Sequence, residues 1–146
     1  MGRLRFWVFV FFVGIGVGQV QAAKVALFGS NGKPVAYIDQ DQCLCLWSGQ
    51  VIGYLEPTRE GEFNLYGTGG GHVGWYVHGV IRDHEGLSVG AYKDRFSPLL
   101  PTEPPVTKAL ARPKRAEQQP APPEPMFSGR WSKMSLETFL SMTEGC

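Results

Sequence analysis

Gly32-Lys-Pro-Val-Ala36-Tyr37, Gly49-Gln-Val-Ile-Gly53-Tyr54, Gly70-Gly-His-Val-Gly74-Trp75 and Gly86-Leu-Ser-Val-Gly90-Ala91 are four copies of one phrase. Each copy is a glycine, two variable residues, Val or Ile, then a small residue and, in three of the four, an aromatic. An aliphatic residue precedes every copy, followed in three cases by an aromatic: Leu27-Phe28, Leu46-Trp47, Leu65-Tyr66 and Ile81-Arg82. The turn glycines Gly32, Gly49, Gly70 and Gly86 lie 17, 21 and 16 residues apart. Recurrence at such a period marks a repeat architecture in which each unit is one supersecondary element.

Strand-forming residues flank a turn in every unit, which predicts four β-hairpins. In the first, Val25-Ala-Leu-Phe28 breaks at Gly29-Ser-Asn31-Gly32, where Asn and Gly both tolerate positive φ. Its return strand carries Pro34, which cannot donate to a ladder and belongs at a strand start or an unpaired edge. Counted from Leu46, the second turn is two residues shorter than the others, an even difference that preserves the alternation of faces. The third turn, Gly67-Thr-Gly-Gly-Gly71, resembles a phosphate-cradling loop only in composition, since no helix and no Lys-Ser or Lys-Thr follows. In the fourth unit Arg82 and Ala91 stand where aromatics stand elsewhere, which predicts one underfilled, polar sector. Alternation assigns Val35, Ile52, Val73 and Val89 to the face of Tyr37, Tyr54, Trp75 and Ala91, and the small Ala36, Gly53, Gly74 and Gly90 to the other.

The flanking segments differ in character. Residues 1–22 read as a signal peptide: Arg3 and Arg5, an apolar run from Phe6 to Gly18, and a cleavage site after Ala22. A retained anchor is the rival, but about 13 apolar residues fall short of the ~20 needed to cross a bilayer. Residues 23–96 form the repeat domain. Residues 97–126 read as a proline-rich linker holding nine of the eleven prolines, extended and semi-rigid, whose basic cluster Lys108, Arg112, Lys114 and Arg115 is read as solvated spacer, with electrostatic attachment to an anionic membrane surface as the rival. Residues 127–146 recover large side chains. Ser135 can cap a short helix that sets Leu136, Phe139 and Leu140 on one face. Too short to be stable alone, that helix is expected to dock on the repeats, with the space beside Ala91 as first candidate.

The repeats resemble the four-fold β-flower family, in which four hairpins form a shallow symmetric barrel in exported or membrane-linked bacterial domains. Trp131-Ser and Phe139-Leu140 look like that family's closing segment. The resemblance implies no activity, and a looser likeness to Tubby-type barrels points toward lipid. The expected fold is therefore all-β, a four-hairpin barrel with a short C-terminal helix docking back.

Removing the leader's two arginines leaves 12 basic against 13 acidic residues, which gives no global attraction to nucleic acid. Cys43, Cys45 and Cys146 make an odd count for an oxidising compartment. A tail bridge from Cys146 and buried free thiols are both open readings. Asp83-His84-Glu85 is the densest titratable cluster, and Arg82, Asp83 and His84 are the candidate binding residues. The histidines lack metal-ligand spacing, and no Gly-x-Ser-x-Gly elbow is present. No catalytic, cofactor or metal residues are assigned. The expected function is a non-catalytic exported or envelope-associated module in the periplasm or cell envelope, its partner a membrane lipid or an envelope protein. A lipid- or membrane-surface-binding domain is one alternative, and a small envelope hydrolase or metal-dependent enzyme around the fourth repeat is another.

Overall fold

A computed structural model describes residues 24–95, 103–106 and 112–146. The expected signal peptide, its cleavage site and Lys108 lie outside the described residues.

Among those residues the hairpin pattern produces eight strands: β1 (Val25–Phe28), β2 (Pro34–Ile38), β3 (Cys43–Leu46), β4 (Val51–Arg59), β5 (Glu62–Gly67), β6 (His72–Val77), β7 (Val80–Arg82) and β8 (Ser88–Ala91). Each pairs antiparallel with the next, and Phe28 opposite Ala91 joins β1 to β8, closing the barrel. Closure removes the unpaired edges that an open sheet of short strands would expose. Pro34 opens β2, where its missing N–H costs no ladder bond. β4 runs three residues beyond the expected Glu56, passing Pro57 at an irregularity in its pairing with β5. Bulges are one of the few places where a strand tolerates proline.

All four turns share one hydrogen-bond pattern. The amide of each turn glycine donates three residues back, from Gly32 to Gly29, Gly49 to Leu46, Gly70 to Gly67 and Gly86 to Asp83. Each of these glycines has φ between 75 and 90°, so a side chain there would be strained. Asn31 does not take positive φ, and the first turn is not the Asn-Gly type expected.

The same pattern corrects the alignment of the second repeat. Its turn has the length of the others, and Leu44, not Leu46, is the counterpart of Leu27, Leu65 and Ile81. A register shift falls at the equivalent step in every hairpin, at Leu27/Phe28, Leu44/Cys45, Leu65/Tyr66 and Ile81/Arg82. Cys45, rather than Trp47, therefore occupies the place held by Phe28 and Tyr66.

Helix α1 (Leu136–Glu144) is capped by Ser135, whose hydroxyl accepts from the Thr138 amide. It lies across the turn end of the barrel. Leu136 packs toward Gly29 and Gly90, Phe139 toward Gly74, and Thr143 toward Gly53 and Gly67. Leu136, Phe139 and Leu140 join Leu27, Ala36, Leu44, Ile52, Leu65, Ile81 and Val89 in the main core. The four small residues thus make a seat for a helix as well as room for converging strands. A Cβ on Gly90 would meet both Leu136 methyls at 3.0 Å. Docking occurs, but the helix lies against Gly90 rather than filling space beside Ala91.

The predicted sharing of faces fails at one point. Ile52 and Val89 belong to the helix-bearing core, with Val35 and Val73 packed against it, whereas Tyr37 and Tyr54 form a second cluster with Cys43, Cys45 and Val51. Bulges sharpen local twist, and next to the bulged steps strict alternation no longer sorts side chains by face.

Residues 112–126 have no regular secondary structure, yet they are not a free spacer. Their contacts run over all four repeats: Arg112 pairs with Asp39 at 2.7 Å, Tyr54 Oη donates to the Pro113 carbonyl at 2.7 Å, the Gln119 amide donates to the Gly70 carbonyl at 2.9 Å, and the Met126 carbonyl abuts Gly86. The barrel therefore carries two coverings, a helix and a strap.

Candidate functional site

The three candidate residues of the fourth hairpin are neighbours in sequence with three different roles. Arg82 Nη1 donates to the Ser88 hydroxyl at 3.0 Å and to the Ser128 carbonyl, and its guanidinium lies 5.6 Å from the Phe127 ring centroid. Beside it, Ser88 accepts from the Ser132 amide and donates to Arg130, a short parallel bridge with Trp131. Arg82 replaces an aromatic because it fastens the returning chain. Asp83 Oδ1 accepts the Glu85 and Leu87 amides at 3.0 and 2.9 Å, which closes the turn.

His84 reaches sideways to the third hairpin. Its Nε2 lies 3.0 Å from His72 Nδ1, with the rings stacked at 17°. His72 Nε2 is 3.1 Å from Asn64 Oδ1, and the same ring makes T-shaped contacts with Tyr66 and Trp75. Burial and the neighbouring His84 push the His72 pKa down to about 4, so it is neutral at pH 7. Bonding to the Asn64 oxygen uses the Nε2 proton of His72, which leaves Nδ1 to accept from His84. His84 then presents its other nitrogen, Nδ1, away from the pair. Sequence reasoning missed this partnership because the histidines are 12 residues apart, in consecutive hairpins that the pairing of β6 with β7 places side by side.

Asp83 and His84 also line a cleft of about 370 Å³ between the fourth hairpin and α1. Val73, Met134, Phe139 and Met142 supply apolar walls, and Glu85, Ser132 and Lys133 complete the rim. A few polar groups over an apolar floor is the usual make-up of a ligand seat.

A second surface lies under the strap on repeats one and two. Tyr37, Tyr54, Cys43, Cys45 and Val51 form its floor, with Trp47 and Val106 packed against them. Arg112 bridges two carboxylates, Nη2 to Asp39 Oδ2 at 2.7 Å and Nη1 to Asp41 Oδ2 at 2.9 Å. Arg115 stacks 4.4 Å from the Tyr54 ring centroid and lies 3.7 Å from Glu56. Burial, with Asp39 adding to it, pushes the Cys45 thiol up to about 11, and burial with Cys45 pushes Tyr37 up to about 12. Neither ionises near neutral pH. All three cysteines are free, Cys43 and Cys45 buried and Cys146 exposed against the third turn. The Gly67–Gly71 run accommodates this close approach: the Gly71 amide donates to the Cys146 carbonyl, and a Cβ on Gly67 would lie 2.8 Å from the Cys146 Cβ.

Among the described residues no three His, Cys, Asp or Glu side chains converge as a metal site, and no helix is long and apolar enough to cross a membrane. The family model described as "4-fold beta flower protein" matches residues 25–140, and the chain belongs to that family. No curated protein and no solved structure matches it.

Proposed function

We propose that this β-flower protein is exported and works at the cell envelope as a non-catalytic binding module, with the cleft beside the fourth hairpin as its ligand seat. The observation that carries the reading is the cleft itself, an apolar pocket walled by Val73, Phe139 and Met142 with His84 at its rim. The enzyme alternative is less well supported. Asp83 is committed to its turn, both ring nitrogens of His72 are taken up by His84 and Asn64, and burial keeps the Cys43 and Cys45 thiols protonated, so among the described residues an activated nucleophile with a positioned base is not assembled.

Electrostatic attachment to lipid also loses support, because Arg112 and Arg115 are engaged by Asp39, Asp41 and Glu56 within the chain.

Two measurements test the proposal. Cell fractionation with N-terminal sequencing is expected to find the mature chain outside the cytosol, beginning near Ala23; a cytosolic chain beginning at Met1 would refute export. A thermal-shift series with small aromatic amines, carboxylates and alcohols is expected to yield probes that stabilise the wild type and not a Val73→Trp variant whose cleft is filled. Equal stabilisation of both would place binding elsewhere.

A further inference from the structure

The strap occupies its surface in the manner of a ligand. Arg112-Pro-Lys-Arg115 is a short basic segment containing proline, and the face beneath it is aromatic with an acidic rim. Recognition of proline-rich peptides works through these components: a segment already extended, which loses little entropy on binding, laid on aromatic rings, and arginine forks that read paired carboxylates. Each component has a named counterpart here. The Arg112 fork spans Asp39 and Asp41, the Tyr54 hydroxyl donates to the Pro113 carbonyl, and Arg115 stacks on the Tyr54 ring beside Glu56. We propose that this face, built from Tyr37, Asp39, Asp41, Tyr54 and Glu56, is a docking site for a basic, proline-containing peptide segment of a partner protein, and that Arg112–Arg115 fills it in cis until that segment displaces it.

Two further observations favour an exchangeable occupant. The Arg112–Asp41 and Arg115–Glu56 pairs are open to water on both sides, at 47% and 58% and at 45% and 46% of side-chain surface, and exposed ion pairs hold weakly; Asp39, 11% exposed, is the firmer partner. In addition, the indole Nε1 of Trp47, which packs on Tyr37, is buried with no acceptor among the described residues, so the strap leaves a donor of this surface unmet. A second copy of the chain fits less well as occupant. The strap runs directly into the Phe127–Ser132 segment and the helix that belong to its own barrel, so lending it to another barrel would unseat them. Displaced by a partner, it stays tethered at both ends.

The inference does not depend on the cleft or on export. Its test uses the full chain and a fluorescently labelled peptide of residues 112–119, read by anisotropy. An Arg112→Ala/Arg115→Ala chain, with its own strap disarmed, is expected to bind the peptide about tenfold more tightly than the wild type, since the cis segment no longer competes. Adding Asp41→Asn and Glu56→Gln to that chain is expected to abolish binding without changing its melting temperature. No binding by the disarmed chain would overturn the proposal. Equal binding of a peptide with the same charges and no proline would reduce the surface to unspecific electrostatics and overturn it too. Peptide-independent dimerisation of the wild type through exchanged straps would assign the surface to a second copy instead.

Discussion

The helix and the strap cover the same barrel by opposite means. α1 presents Leu136, Phe139 and Leu140, all at most 4% exposed, to a seat of small residues, and its attachment is apolar burial, worth about 1.5–3 kcal/mol per large side chain. The strap presents arginines and prolines to an acidic, aromatic face, and its contacts with Asp41 and Glu56 are open to water, where each pair contributes under about 1 kcal/mol. The first covering is part of the core. The second is held by ion pairs and ring contacts at the surface, with no large aliphatic side chain of residues 112–119 in either core cluster, and so it can leave.

Cutting the helix seat should have the largest effect. Leu136→Ala or Phe139→Ala is expected to lower stability by about 2–5 kcal/mol, the range for deleting buried side chains, measured by urea denaturation. A loss below about 1 kcal/mol would mean that the helix is only a surface attachment.

Acid should weaken the His72 pairing next. With its pKa lowered from 6.5 to about 4, His72 binds fewer protons folded than unfolded across that window. Its contribution is fully kept above about pH 6.5 and is lost as pH falls toward 4, by at most about 3 kcal/mol. Denaturation midpoints between pH 7 and 4 should show this dependence in the wild type and a shallower one in His72→Gln.

Arg82→Ala should cost about 1–3 kcal/mol, because it strips a donor from the partly buried Ser88 and Ser128 oxygens. Faster proteolysis near Ser128–Arg130 is expected with it, as this clamp fastens the chain before the helix. Arg115→Ala, on the strap, should change stability by less than about 1 kcal/mol, its pair with Glu56 being exposed on both sides. Near-equal losses from Arg82→Ala and Arg115→Ala would erase the distinction between the two coverings.

The sequence disclosed what depends on local rules and concealed what depends on contacts between units. Turn glycines and the capped helix at Ser135 are local signals, and each appears where the pattern placed it. The second repeat was misaligned because Leu44 and Leu46 are both aliphatic and two apart, so periodicity fits either; only the shared turn geometry selects Leu44. Arg82 was legible as an exception, but its reason, the Ser128 carbonyl, comes from a segment 46 residues away. The strap was read as spacer because composition reports proline and charge and is silent about the carboxylates of Asp39 and Asp41 that await Arg112. His72 and His84 escaped notice for the same reason: adjacent hairpins bring them together and no spacing announces it.

Native-state hydrogen exchange compares the two coverings in a single sample. The Gln119 amide, bonded to the Gly70 carbonyl, reports the strap; the Phe139 amide, bonded to Ser135, reports the helix; and the Leu55 amide, bonded to Gln42, reports the barrel. Gln119 is expected to exchange through a low-energy local opening that leaves the others protected, while Phe139 exchanges only at the free energy that opens Leu55. Exchange of all three at one common free energy, or of Phe139 as readily as Gln119, would contradict the division between an integral helix and a displaceable strap.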